Sequence, residues 1–134
     1  MEGFFLNSVR ARVADLRGRG VYSGYPNQYR CIFLHIPKAA GTSVSTSLFG
    51  SGSRHLRYTE YQRANAKKFE NYFKFSFVRN PWDRLYSAYS FLKGGGMNEM
   101  DARWAHENLS GYPDFPSFVR SWVTTDNIWS WVHF

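Results

Sequence analysis

Phe33-Leu34-His35-Ile36-Pro37-Lys38-Ala39-Ala40-Gly41-Thr42-Ser43-Val44 is the stretch on which the reading of this chain turns. It predicts a buried strand, a tight turn and the first turn of a helix. Arg30 to Ile36 is nearly all apolar, through Cys31, Ile32, Phe33, Leu34 and Ile36. A short apolar run bounded by turn residues suits a strand covered on both faces, as in a parallel sheet. Pro37 ends the run because it lacks a backbone donor. Gly41 permits close backbone approach, and Thr42 or Ser43 can cap the helix that follows. Such a helix start offers free N–H groups and the positive end of a dipole, which suits a phosphate or sulfate group. Lys38 adds a mobile cation beside it.

A second strand-to-helix turn follows. Phe73 to Val78 alternates, with Phe73, Phe75 and Phe77 on one side, and predicts a strand. Asn80 suits the N-cap, Pro81 the first helical position, and Asp83 the first turn. Leu85, Ala88, Tyr89 and Leu92 make the buried stripe, and Gly94-Gly95-Gly96 ends the helix and predicts a mobile loop.

Together, Phe33–Val44 and Phe75-Ser76-Phe77-Val78-Arg79-Asn80-Pro81-Trp82-Asp83-Arg84-Leu85-Tyr86-Ser87-Ala88-Tyr89 resemble the 5′-phosphosulfate loop and the 3′-phosphate motif of the PAPS-dependent sulfotransferases. The nearest likeness is to the carbohydrate (glycan) sulfotransferases and their bacterial relatives. The resemblance covers Arg30 to Leu92, and more faintly Phe118 to Phe134. It implies an α/β fold, a parallel sheet flanked by helices, of the P-loop-like sulfotransferase type. It implies PAPS as sulfate donor, PAP as product, a glycan or other hydroxyl as acceptor, and no catalytic metal. By the same resemblance Lys38 binds the phosphosulfate and follows the charge that develops on the bridging oxygen. Ala39, Ala40, Gly41, Thr42 and Ser43 complete that loop, and Arg79 and Ser87 hold the 3′-phosphate. Arg79 also has a physical case: it leaves the end of a strand, where ligands sit in open α/β sheets, and its guanidinium forks onto phosphate. Arg84 is another cation nearby, equally suited to a solvated side chain.

Two histidines compete for the general base. His35 lies on the strand just before the loop and points either at the site or into the core. His55 follows a Gly/Ser connection, and in the related glycan sulfotransferases a catalytic histidine lies similarly downstream of the loop. His55 is the first choice and His35 the second. His106 and His133 have no motif around them.

The 134 residues predict one domain, with residues 1–29 as an N-terminal helix and loop and 30–134 as a PAPS-binding core. A chain this long buries roughly two thirds of its unfolded surface. Hydrophobic residues make up 43% and aromatic residues 19%, which excludes a disordered chain. The net charge of +7 favours an anionic partner. The lone Cys31 cannot form an internal disulfide and reads as a core residue. No run is long enough to span a membrane, and no secretory leader is visible. The expected location is the cytoplasm for a bacterial protein, or the Golgi lumen for a fragment separated from its membrane anchor. Asn108-Leu109-Ser110 is a sequon that reads as chance occurrence.

Phe5, Val9, Val13 and Leu16 recur at helical spacing among Arg10, Arg12, Arg17 and Arg19. They predict either a surface helix packed on the sheet, the preferred reading, or a basic amphipathic helix that touches a membrane or targets an organelle. Tyr22 to Tyr29 reads as a loop. Val44 and Leu48 give the helix after the phosphosulfate-type loop a face to bury. Gly50-Ser51-Gly52-Ser53 reads as a flexible connection. Thr59 with Gln62 forms a capping-box signature for a helix through Phe69. Glu99 to Asn108 and the stripe Phe118, Val119, Trp122 and Val123 predict two more helices. The apolar ending Ile128 to Phe134 suggests that the chain is C-terminally incomplete.

Three other readings stay open. A P-loop nucleotide phosphotransferase shares the fold logic, but Lys38 precedes Gly41 and the first Walker glycine is missing. A non-catalytic module holding single-stranded nucleic acid or an acidic glycan fits the charge, without any RNA-binding signature, and no nucleic acid is expected. A truncated domain that binds PAPS or PAP without activity is the third.

Overall fold

The computed structural model describes residues 2–128, with side-chain environments from Asn7 onward. The elements run α1 (Glu2–Leu16), α2 (Tyr25–Tyr29), β1 (Cys31–Phe33), α3 (Gly41–Phe49), α4 (Tyr58–Ala64), α5 (Ala66–Asn71), β2 (Phe73–Phe75), α6 (Pro81–Lys93), α7 (Glu99–Leu109) and α8 (Phe115–Ser121). The described residues are helix-rich, with a small parallel β1–β2 sheet, an α/β composition. The chain divides into two compact units, Met1–Val78 and Arg79–Phe134.

In the first unit Cys31, Ile32 and Phe33 are all buried, as an apolar run covered on both faces should be. They pair in register with Phe73, Lys74 and Phe75. Both strands are shorter than the apolar runs that predict them. The Leu34 N–H still donates to the Phe75 carbonyl at 2.9 Å, and the Ser76 hydroxyl then donates to the Leu34 carbonyl at 2.6 Å. A side chain thus continues what the ladder leaves, and Pro37 ends the run. Phe73, Phe75 and Phe77 do share a side, where Phe75 stacks on Phe33 at 5.0 Å, but Phe73 and Phe77 are exposed.

The core of this unit is Tyr22, Ile32, Tyr61 and Ala64. Tyr22, expected in a loop, is wholly buried and donates its hydroxyl to the carbonyls of Tyr61 (3.0 Å) and Asn65 (3.2 Å). The rest of that expected loop is α2, started at Gly24 and Pro26. The single helix expected through Phe69 is two. Asn65 ends α4 through its N–H to Tyr61, and its side chain caps α5 by accepting from the Lys68 N–H at 3.0 Å. The cap of α4 lies two residues before the expected Thr59: Arg57 is the N-cap, and Glu60 reaches back to its N–H at 2.8 Å.

Helix α1 ends in the left-handed Gly18 and packs on α4. Its inward face is not the expected one. Ala11 packs on the core and Asp15 is buried, while Val9, Val13 and Leu16 are exposed. Asp15 decides this orientation, because it accepts from Lys68 Nζ and Asn65 Nδ2, each at 2.9 Å. Helix α3 shows the same inversion: Gly41 and Ser45 are buried and Leu48 is exposed. Gly50 closes α3 in the left-handed conformation, donating its N–H to Thr46.

The second unit follows its sequence closely. Leu85, Tyr89, Leu109 and Phe118 form the core, with Ala88, Leu92, Val119, Trp122 and Val123 against it. Asn80, Asn98 and Asp114 cap α6, α7 and α8. Lys93 donates to the carbonyls of Leu109 (3.1 Å) and Tyr112 (2.8 Å), placing a cation at the negative end of α7. After α6 the Gly94–Gly96 turn is hydrogen-bonded back to the helix, Gly96 N–H to Phe91 at 2.9 Å. The apolar ending beyond Ile128, and His133 with it, lies outside the described residues.

Asp15→Ala strips Lys68 and Asn65 of a common acceptor and is expected to lower the unfolding free energy by about 2–3 kcal/mol. Urea denaturation with an unchanged slope checks this. A loss within about 0.5 kcal/mol would show the network to be idle.

Candidate functional site

The first unit gathers most of the predicted site residues around one loop. Between β1 and α3 the chain passes through Lys38 and Ala40, both non-glycine residues at φ 61°. Each such left-handed residue costs about 1 kcal/mol. Strain of this kind in an L-residue points to a conformation that the surroundings impose. Ala39 between them is buried and its N–H reaches the Ile36 carbonyl at 3.4 Å, closing the turn. Ala40 is the N-cap of α3, and no side chain caps this helix. The expectation of a Thr42 or Ser43 cap therefore fails. Both lie one and two places inside the first turn, exposed, where they are part of the helix start rather than its lid. Backbone N–H groups at an uncapped helix N-terminus next to left-handed residues form a concavity suited to an anion. Lys38 is half-buried on the same turn.

His35 is what Gly41 makes room for. A Cβ on Gly41 would overlap the imidazole ring, with His35 Cγ only 2.7 Å away. The glycine is thus required by a side chain from the end of β1, in addition to the close approach that the sequence suggests. The His35 ring is buried, and its Nδ1 lies 2.8 Å from the Ser53 hydroxyl. Burial holds its pKa below the ordinary value of 6.5, the neighbouring His55 pushes it the same way, and Ser53 opposes. A buried, neutral His35 is a packing element of the loop.

His55 is exposed, with its ring centroid 4.0 Å from that of His35. Its Nδ1 is 3.3 Å from the His35 carbonyl. A carbonyl only accepts, so Nδ1 carries the hydrogen and Nε2 is left as the basic nitrogen. Of the two histidines, His35 is buried and His55 has the exposed ring.

Arg79 and Ser87 belong to the second unit. Arg79 is exposed and immediately precedes the Asn80 cap, whose Oδ1 accepts from the Trp82 N–H at 3.0 Å. Ser87 is half-buried on α6. Ser53 was invisible as a site-shaping residue in the sequence, because a Ser/Gly connection carries no sign of the histidine that it supports. Among the described residues no group of three or more His, Cys, Asp or Glu side chains could hold a metal ion. No helix among them is long and apolar enough to cross a membrane.

Residues 25–129 match the sequence model of the Sulfotransferase family. Neither a curated protein nor a solved structure gives a match.

The lowered His35 pKa sets a sign for pH dependence. A group depressed in the folded state leaves stability intact above its unfolded pKa, near 6.5, and removes it as pH falls from there. Wild-type stability is expected to decline below that pH, and His35→Gln to flatten the decline, as read by chemical denaturation across pH. Gly41→Ala, which drives a Cβ into the ring, is expected to cost about 1–3 kcal/mol.

Proposed function

The chain belongs to the sulfotransferase family, whose chemistry is sulfuryl transfer, and we propose that its donor is PAPS and its acceptor a carbohydrate hydroxyl, on a P-loop-like core. The observation that carries this reading is the strained turn at Lys38 and Ala40 leading into the uncapped start of α3. It is an anion cradle at the end of a parallel strand, where open α/β sheets bind ligands.

When bound, the donor supplies a sulfuryl group on a phosphate leaving group. The N–H groups of Gly41, Thr42 and Ser43 and the loop at Ala39 and Ala40 would hold its phosphosulfate. The Lys38 ammonium would stabilise negative charge on the leaving phosphate oxygen. Arg79 would fork onto the 3′-phosphate, with Ser87 as a further donor. His55 Nε2 would take the proton of the acceptor hydroxyl, and its Nδ1–H bond to the His35 carbonyl would hold the ring in the required tautomer. This assigns His55 the chemistry and His35 the support of both ring and loop. The basic surface favours an acidic or hydroxyl-rich glycan over a neutral apolar acceptor.

A thermal-shift titration with PAP against ATP and magnesium tests the donor. PAP at a hundred times its dissociation constant should stabilise the fold by about 2.7 kcal/mol. Lys38→Ala and Arg79→Ala should each remove that shift. His55→Ala should keep PAP binding and slow transfer by about 10²–10⁴-fold. Stabilisation by ATP–magnesium alone would replace this reading with phosphoryl transfer.

A further inference from the structure

Helix α1 takes no part in the site, and its outer face has a composition of its own. Val9 (42% exposed), Val13 (38%) and Leu16 (84%) follow each other at intervals of four and three residues, which aligns them along one side. Arg12 flanks this line on one side and Arg10 and Arg17 on the other, and all three are exposed, as is Arg19 just past the helix end. Val9, Arg10, Val13, Ala14, Arg17 and Arg19 together line a shallow groove. The inward face is occupied instead by Ala11 and Asp15.

From Asn7 to Gly20 the charge is segregated. Asp15 is the only acidic residue between Asn7 and Gly20, and it is buried against Lys68 and Asn65. The solvent side of this segment therefore presents four arginines, no carboxylate and an aliphatic ridge. We propose that α1 is a peripheral membrane-binding helix that lies on an anionic lipid surface, its arginines on the headgroups and Val9, Val13 and Leu16 in the upper acyl region. Charge complementarity selects this occupant. A second copy would bring the same positive face and be repelled. A nucleic acid would use the arginines but leave the aliphatic ridge wet, since it offers aromatic bases and phosphates and no acyl chains.

The test is co-sedimentation of the full chain with phosphatidylcholine vesicles, with and without phosphatidylglycerol, alongside duplex DNA as a competing polyanion. The expected result is binding to the phosphatidylglycerol vesicles only, weakened by salt, with Leu16→Glu and Arg17→Glu each lowering the partition coefficient by about tenfold. Both side chains are exposed, so the variants should keep the wild-type circular dichroism and PAP response. Equal binding to neutral vesicles, or none to anionic ones, would overturn the proposal. So would DNA binding that Arg17→Glu abolishes and Leu16→Glu leaves intact, which would identify a polyanion site.

Discussion

The contact that the first unit depends on is the imidazole of His35 lying against the bare Cα of Gly41. It joins the end of β1 to the start of α3 across a loop only a few residues long, and leaves that loop little freedom. Within that loop Lys38 and Ala40 take up left-handed conformations. The strain lies in the loop between β1 and α3, and the ring beside that loop is buried and bonded to Ser53. The same ring stands beside His55, whose orientation is fixed by the His35 backbone. One buried side chain thus lies against both the start of α3 and the His55 ring.

In the proposed reading, binding and proton transfer draw on different properties of the chain. The proposed anion site uses backbone N–H groups, and of its residues Thr42 and Ser43 are exposed, whereas Ala39 is buried and Ala40 is left-handed, which keeps both small. The proposed base, His55, would act through a single ring nitrogen. Arg79 and Ser87, on the unit built around Leu85, Tyr89, Leu109 and Phe118, are set by local caps and helix packing, with a core of their own.

How much of this was legible in the sequence depended on how local each determinant is. Helix α6 could be read from Asn80, Pro81 and its apolar stripe, because cap and stripe lie within one segment. The β1 strand and the turn after it were legible for the same reason, and so was the family resemblance they carry. Periodicity gave α1 its stripe but not the direction it faces. That was decided by Asp15, whose partners Asn65 and Lys68 are remote in sequence. The break at Asn65 was hidden for a like reason: Tyr22, from a segment read as loop, takes up the carbonyls exposed there. The strain at Lys38 and Ala40 could not be seen either, since neither residue is a usual left-handed one.

The parallel pairing of Cys31–Phe33 with Phe73–Phe75 also bears on how the chain acquires its shape during synthesis. A parallel strand cannot pair with its sequence neighbour by a tight hairpin, so β1 must wait until α3, α4 and α5 have been made and β2 has emerged. Until then the apolar faces of Ile32 and Phe33 have no sheet partner, and Asp15 also awaits Asn65 and Lys68. The loop after β1 is therefore made well before it takes its final shape, because the strand that it leaves finds its sheet partner only in residues made some forty positions afterwards.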